Sequence, residues 1–336
     1  MQATIYTEAD KFELLTDDWA DLLRRSRSAP FFMHPLYQTI WWRHLGNDDL
    51  RLITIRSDQG RLLGLAPLYL KMLPGGERQL TFVGCVDVSD YLDVLVDGEH
   101  VEAVHQTLLD ALADEDLVWD KLYLCSLPHN SLTPSRLAEA ARQRGWQVEV
   151  KQQDVCPVIT LPQSWDEYLA GLNKKQRHEV RRKMRRVETE AVTRWRVVES
   201  AGEVESAMEL FVQLHQKSTR AKEDFWSNSL ISFFKSVTRA LAAVGWLKLY
   251  FVEINGVPAA AMLAFDYSNE FLLYNSGYDP DQFAHLSPGN VLTAYTIRHA
   301  IELGRKRYDF LRGDEDYKFR FGGRPEPVYD VEMWRK

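Results

Sequence analysis

The dipeptide Asn255-Gly256 lies between two apolar runs, Lys248 to Ile254 and Pro258 to Asp266. Both residues accept positive φ, so the pair closes a tight β-hairpin and sets antiparallel pairing over the two runs. Glu270 to Ser276 reads as a third strand. After a polar loop, Ser287-Pro288-Gly289-Asn290 opens a helix that runs to Leu303 with Gly304 as its stop, and Arg307 to Leu311 is the next strand.

The first half repeats that outline. Thr16 caps a predicted helix over 17–25, and Phe31, Phe32, Tyr37, Trp41 and Trp42 form an aromatic cluster spaced for the core. Leu50 to Arg56 and Leu62 to Met72 read as a hairpin joined by Ser57-Asp58-Gln59-Gly60. Thr81 to Val83, Tyr91 to Val96, Lys121 to Ser126 and Gln147 to Val150 read as strands. Val101, Val104, Leu108 and Leu112 give one helical stripe, and a further helix starts at Thr133-Pro134 and stops at Gly145. The chain has 336 residues, which suits two domains of ordinary size. The expected architecture is α/β (α+β), with two similar halves over 1–155 and 156–336, the boundary falling near 152–163. The halves share pattern and no detectable residue identity.

Ser164-Trp165-Asp166-Glu167 reads as a capping box that opens a long basic helix, and Ser200 to Glu203 as a second box before a helix with Val204, Met208, Phe211 and His215 on one face. Leu230, Phe234, Val237 and Leu241 mark the helix after it, ended by Gly245. The formal net charge is −7, yet Lys174 to Arg186 holds eight Lys or Arg against one Glu, so the rest of the chain carries −14. Such a sum argues against a protein covered in nucleic-acid contacts and sets a basic stripe on an acidic body. Leu172, Val180, Met184 and Val187 face inward, while Lys174, Arg177, Arg181 and Arg185 share another face that suits phosphates. Three well-separated cysteines, Cys85, Cys125 and Cys156, favour a reducing compartment. No apolar run approaches the ~20 residues of a membrane helix, and the N-terminus carries no basic-then-apolar leader, so a cytoplasmic location is expected.

Several segments of the second half resemble one family: Asn173-Lys174-Lys175-Gln176-Arg177, Glu253-Ile254-Asn255-Gly256, Tyr274-Asn275-Ser276-Gly277-Tyr278, and Phe310-Leu311-Arg312-Gly313-Asp314 leading into Tyr317-Lys318-Phe319. Together they resemble the GNAT-like acetyltransferase domain of cellulose biosynthesis (CelD-type) proteins, relatives of the FemABX aminoacyltransferases. Leu65-Ala66-Pro67-Leu68 and Ser89-Asp90-Tyr91-Leu92-Asp93 extend the resemblance into the first half. It implies tandem GNAT-like domains, each with a mixed sheet flanked by helices, and a splayed sheet whose gap admits an acyl donor. It also implies acetyl-CoA or another acyl-CoA as co-substrate, with no permanently bound cofactor. The usual glycine-spaced acetyl-CoA loop of GNAT enzymes is missing here, as it is from FemABX proteins.

The start of the Ser287 helix is the leading donor site, because helix N-termini offer free N–H groups and a positive dipole end to a pyrophosphate. Gly289 allows close approach there, Asn290 follows it, and Lys174, Arg177 and Arg181 offer a rival phosphate site. Acyl transfer to an amine needs a proton acceptor, an oxyanion stabiliser and an acid for the leaving group. Asp314, Lys318 and Tyr278 are assigned to those roles; an ordinary solvated loop is the bland reading of the first two. Tyr274 reads as a core tyrosine. His215, Arg312, Tyr317 and Asp90 are candidates for the acceptor, with Asp93 beside Asp90, although a satisfied structural histidine is the commoner meaning of His215. No His or Cys cluster has metal-ligand spacing, and there is no nucleophile elbow.

Three functions compete. An N- or O-acyltransferase would act on a sugar or amino-acid derivative, in polysaccharide or cell-envelope biosynthesis. An aminoacyltransferase would take its donor from charged tRNA, with Arg177, Arg181 and Arg185 on phosphates. A non-catalytic GNAT-like adaptor would do neither.

Overall fold

A computed structural model describes residues 1–46, 49–85 and 88–335. The chain divides into two compact units, 1–154 with 326–336, and 155–325. Thus residues 326–336 return to the first unit instead of ending the second.

In the first unit the strands are β1 (Gln2–Tyr6), β2 (Asp49–Arg56), β3 (Leu62–Met72), β4 (Arg78–Phe82), β5 (Leu95–Val96) and β6 (Lys121–Pro128). The helices are α1 (Lys11–Leu14), α2 (Thr16–Arg25), α3 (Pro35–Leu45), α4 (Val101–Ala113) and α5 (Ala138–Gln143). β1, β2, β3 and β4 pair antiparallel in turn, β6 lies parallel to β4, and the C-terminal strand β13 (Arg324–Trp334) pairs antiparallel with β6. The predicted hairpin is β2–β3. Phe31, Phe32, Tyr37 and Trp41 are buried, as their spacing implied, with edge-on rings at Phe31–Phe32 and Phe32–Tyr37.

Several local expectations fail for definable reasons. Thr16 sits inside α2, not before it, and its hydroxyl donates back to the Phe12 carbonyl at 3.0 Å. Of the run Tyr91 to Val96 only Leu95–Val96 is strand. The predicted strand Gln147 to Val150 is longer than expected: β7 (Gln147–Thr160) runs fourteen residues, and the division between the units, at 154/155, falls within it and within the expected range 152–163. Cys85 and Cys125, forty residues apart and expected as separate thiols, form a disulfide, while Cys156 is buried and free. Among the described residues no helix is long and apolar enough to cross a membrane.

The second unit holds β8 (Thr193–Val198), β9 (Leu247–Ile254), β10 (Val257–Tyr267), β11 (Glu270–Tyr278) and β12 (Arg307–Asp309), with the end of β7. Its helices are α6 (Trp165–Gly171), α7 (Lys174–Glu190), α8 (Val204–Ser218), α9 (Arg220–Asp224), α10 (Asn228–Ala243), α11 (Pro288–Glu302) and α12 (Asp316–Arg320). The strand order is β7-β12-β11-β10-β9-β8. Asn255 and Gly256 both take positive φ in the β9–β10 turn, as the hairpin signal demanded. The topology of the first unit recurs. Three antiparallel strands (β9, β10, β11) lead through a helix (α11) to a strand parallel to the third (β12), which in turn pairs antiparallel with another (β7).

Ser164 does cap a helix, accepting from the Glu167 N–H at 3.2 Å, but that helix is the short α6. The basic helix α7 begins afresh at Lys174 with its own capping box, Asn173 with Gln176. Ser200 does not cap α8; its hydroxyl meets the Glu203 carboxylate at 2.9 Å, and α8 starts at Val204.

One glycine is fixed by packing. A Cβ on Gly277 of β11 would stand 2.5 Å from the Cα of His215, so the backbones of α8 and β11 touch with no side chain between them. Gly277→Ala is expected to force α8 outward and to cost about 1–3 kcal/mol, as overpacked sites do. Urea unfolding of the two proteins measures the difference.

Candidate active site

The site is made by two strands that part. β11 and β12 run in parallel only from Glu270–Arg307 to Leu272–Asp309. β11 continues to Tyr278, whereas the chain after β12 stays with β7: the Phe310 N–H donates to the Pro157 carbonyl at 3.0 Å and the Gly313 N–H to that of Val155 at 2.9 Å. On the β11 side a register shift against β10 between Leu263 and Ala264 marks a bulge at Tyr274. On the other side Leu311 adopts φ 55, held there as its N–H donates to the buried Asp309 carboxylate at 2.7 Å. Beyond Leu272 and Asp309 the two strands no longer pair, and this opening parts Leu273–Tyr278 from the segment 310–315.

The wall formed by 311–315 is built around a buried ammonium. Lys318, 3% exposed, donates to the carbonyls of Leu311, Arg312 and Gly313 at 3.2, 2.7 and 3.2 Å. Its Nζ also lies 2.8 Å from Glu315. Three carbonyls and the Glu315 carboxylate share the ammonium's three N–H donors, so none is left over for a ligand. Gly313 adds a second constraint: it takes φ 118, and a Cβ there would come within 2.5 Å of Glu315 Oε2.

Facing this wall, α9 carries Lys222, whose Nζ donates to the Ser276 carbonyl on β11. Burial holds this ammonium below its ordinary range; the Glu315 charge opposes that shift and the Lys318 charge adds to it. Beneath lies His215, whose Nδ1 accepts from the Trp226 indole N–H at 3.0 Å. Burial, helped by the Lys222 charge, pushes His215 down to about 4, so the ring is neutral near pH 7 with its proton on Nε2. That Nε2 is buried without a hydrogen-bond partner, although the Asn275 amide and the Lys222 backbone stand beside it.

A second feature flanks α11. The first intrahelical bond runs from the Val291 N–H to the Ser287 carbonyl at 3.1 Å, so the amides of Gly289 and Asn290 precede the helical ladder. Ser287 sits at the cap in the left-handed region with no side-chain cap bond, contrary to a serine-capped start. A cavity of about 590 Å³ lies here, lined among others by Lys175, Lys183, Asn290 and Arg320. Lys183 lies 3.5 Å from Glu179, which Arg182 also holds, and Arg320 pairs with Asp316 at 3.0 Å. Lys175 is exposed.

The stretch that carries this arrangement, a mixed sheet parting near a helix N-terminus lined by cations, matches a known family. Residues 174–319 match the acetyltransferase (GNAT) domain family. The matched GNAT stretch begins at the first residue of α7 and ends within α12, so it contains the parted strands β11 and β12 and most of the cavity lining, with Asn173, Arg320 and Phe321 just outside it. No curated protein matches the chain by sequence. Among solved structures the chain is similar to FemX, at 12% identity and a TM-score of 0.68 over 98% of this chain and 97% of that one. It is similar to L-PGS from Bacillus licheniformis, at 11% and 0.57 over 98% and 92%. It is also similar to the C-terminal domain of a putative lysylphosphatidylglycerol synthetase from Agrobacterium fabrum, at 11% and 0.56 over 96% and 92%. Such identities speak to the fold alone, and the match to the GNAT family model applies to residues 174–319.

Within that GNAT fold the predicted residues separate. Asn290 lines the cavity and Gly289 and Ser287 adjoin it, but the lysines on it are Lys175 and Lys183. Arg181 instead lies along a groove of about 530 Å³ with His178, Arg182, Arg185 and Arg186. Arg177 donates to the Ala170 carbonyl at 3.3 Å, and Lys174 is exposed. Helical rotation explains the difference, since the face toward α11 is the one carrying 175, 176, 179, 180 and 183. Asp314 is exposed on the parted segment, Tyr278 is exposed at the end of β11, and Arg312 gives its carbonyl to Lys318. Tyr317 packs edge-on to Phe310, and burial raises its phenol. Tyr274 contacts the Phe234 and Phe265 rings, in keeping with its core reading. Asp90 belongs to the first unit, half-buried. Its neighbour Asp93 is buried and accepts from Ser131, Thr133 and the Val94 N–H at 2.8, 2.7 and 2.9 Å, with burial lifting it to about 6. Also in the first unit, Asp97, Glu99 and His100 bring ligand atoms within 4.8 Å, a group the sequence did not show, but the Arg25 guanidinium pairs with Asp97.

Sequence reasoning missed Lys222, Asn275 as a site residue, and Glu315. Lys222 lies in an ordinary charged helical turn, Arg220-Ala221-Lys222-Glu223, and nothing in that turn signals a buried ammonium. A signal for Glu315 did exist, in its i,i+3 spacing from Lys318.

Lys318→Met would leave three carbonyls without their donor at about 1–3 kcal/mol for a buried group, so faster amide hydrogen exchange at 311–315 is expected. His215 supplies a pH test. Its folded pKa of about 4 lies below the ordinary 6.5 of a free imidazole, so the unfolded chain binds the extra proton between these values. Stability from this group is complete above pH 6.5 and declines as pH falls toward 4, by ~3 kcal/mol at most. His215→Gln is expected to flatten that part of the stability-against-pH curve, read by denaturant unfolding at pH 7 and pH 4.5.

Proposed function

We propose that the second unit transfers an acetyl or longer acyl group from acyl-CoA to an amine or hydroxyl of a sugar or amino-acid derivative. The observation that carries this reading is the juxtaposition, within the GNAT-matched stretch, of a parted strand pair and a cation-lined cavity at a helix N-terminus. The donor's pyrophosphate takes the free amides of Gly289 and Asn290 with Lys175, Lys183 and Arg320 around it, where helix dipole and side-chain charge act in the same sense. The pantetheine arm then lies along β11, and the thioester carbonyl reaches the opening.

In the opening, Asp314 is the carboxylate placed to take the proton of the attacking amine or hydroxyl, and the Tyr278 phenol to protonate the departing thiolate. Lys318 acts by shaping 311–315, not by touching the substrate, because its donors are spent on backbone carbonyls. We place the reaction in the cytoplasm, where such donors are made, and in polysaccharide or cell-envelope biosynthesis, as the CelD-type motifs imply.

The basic groove along α7 supports a second reading, in which the donor is a charged tRNA held by Arg181, Arg182 and Arg185. The two readings differ in salt response, since each neutralised phosphate of a nucleic acid adds steeply to the dependence of affinity on salt.

A thermal-shift series with acetyl-CoA, longer acyl-CoAs and charged tRNA tests the reading, because a ligand that binds only the native state raises its stability. Acyl-CoA is expected to stabilise the protein. Lys175→Gln with Lys183→Gln should weaken that binding about tenfold, and Asp314→Asn should lower kcat on the order of 10²-fold with acyl-CoA binding intact. Stabilisation by tRNA alone, declining steeply with salt, would favour the second donor, and no response to any of the three would leave a non-catalytic role.

A further inference from the structure

The corner of the opening below Glu315 has an unbalanced inventory of hydrogen-bonding groups. Lys222 brings three N–H donors and spends one on the Ser276 carbonyl. His215 Nδ1 is taken by the Trp226 indole, so its remaining function is the Nε2–H donor, buried beside the Asn275 side chain and the Lys222 backbone without a closed hydrogen bond to either. Asn275 uses its carbonyl oxygen to accept from the Ser276 N–H at 2.8 Å, which leaves its amide N–H groups as the free valence. All three side chains therefore offer donors. The carboxylate that acts on Lys222, Glu315, is already 2.8 Å from Lys318. Charge points the same way: two ammonium groups, Lys222 and Lys318, act on the Glu315 carboxylate, so among these three groups there is one positive charge in excess.

We propose that Lys222, with the Asn275 amide and the His215 Nε2–H beside it, seats a carboxylate of the acceptor, so that the acceptor is an amino acid or a sugar acid. The place of this seat in catalysis rests on the acyltransfer reading above, but its binding chemistry does not. A carboxylate is an acceptor-only group that uses donors from several directions, and as a monoanion it balances the excess charge where a phosphate dianion would overshoot. Its position matters too. The Ser276 carbonyl that holds Lys222 belongs to β11 just before the Gly277 contact with α8, so an acceptor anchored here lies beside the parted strands.

The test uses the full chain with acetate as the probe, acetamide as its neutral counterpart and chloride as the ionic-strength control. The readout is the NMR resonance of the Trp226 indole N–H, which bonds directly to His215 and is assigned by Trp226→Phe. Acetate is expected to shift this resonance saturably, with chloride and acetamide at least tenfold weaker. Lys222→Met, which keeps the stem and removes the charge, should weaken acetate at least tenfold while its melting temperature stays close to that of the parent. If Lys222→Met unfolds, Lys222→Arg and Asn275→Leu are used instead, the first expected to retain acetate binding and the second to weaken it. Equal responses to acetate and acetamide, or an acetate response unchanged by both Lys222→Met and Asn275→Leu, would overturn the proposal. Acetyl-CoA is titrated into the same samples. Loss of the acetate response with acetyl-CoA binding intact removes the seat and keeps the donor reading, and the reverse result removes the donor reading and keeps the seat.

Discussion

Everything at the candidate site follows from a pairing that stops. β12 keeps its hydrogen bonds to β7 beyond Asp309 and gives up those to β11, and two local devices make the departure possible: the bulge at Tyr274 and the left-handed Leu311 anchored by Asp309. A parallel sheet that opens within its own plane exposes main-chain polar groups and side-chain donors together, a combination that a closed sheet does not offer. Around that gap the protein spends charged groups on architecture as well as chemistry. Lys318 holds three successive carbonyls at a place where neither helix nor strand can satisfy them, and the loop 311–315 has its shape because a buried cation sits inside it.

Two anion-attracting features coexist in the second unit, and they differ in physical character. The cavity at α11 is broad, and its cations are partly exposed, which suits a polyanion held by long-range attraction and helix-end amides. The corner at Lys222 is tight and partly desolvated, which suits a single small charged group held by direct hydrogen bonds.

The sequence was readable where local chemistry decides. Asn255-Gly256 fixed a hairpin, the Ser57–Gly60 turn fixed another, and the helix entered at Pro288 and left before Gly304 was marked at both ends. It was opaque where distant residues decide. β7 looked like a short strand because nothing in Gln152-Gln153-Asp154 announces that it runs on past the boundary to Thr160, and β13, although Gly322-Gly323 stands before it, opens with Pro325 and Pro327, which mask a strand pattern. The same limit held at the site. Asp314 and Lys318 were visible as a motif, but the sequence does not show that Lys318 turns inward to the backbone, nor that Lys222, ninety-six residues earlier, faces the same carboxylate.

The order of the chain has a consequence of its own. Residues 155–325 form one unit, and 326–336 belong to the other, where β13 completes the ladder on β6. On the ribosome the second unit therefore has all of its residues before the first has its last strand, so the N-terminal part of the chain is the one that must wait. Until then the β6 edge stands open, and its run of Leu122, Leu124, Cys125 and Leu127 is the surface a nascent-chain chaperone would have most reason to cover.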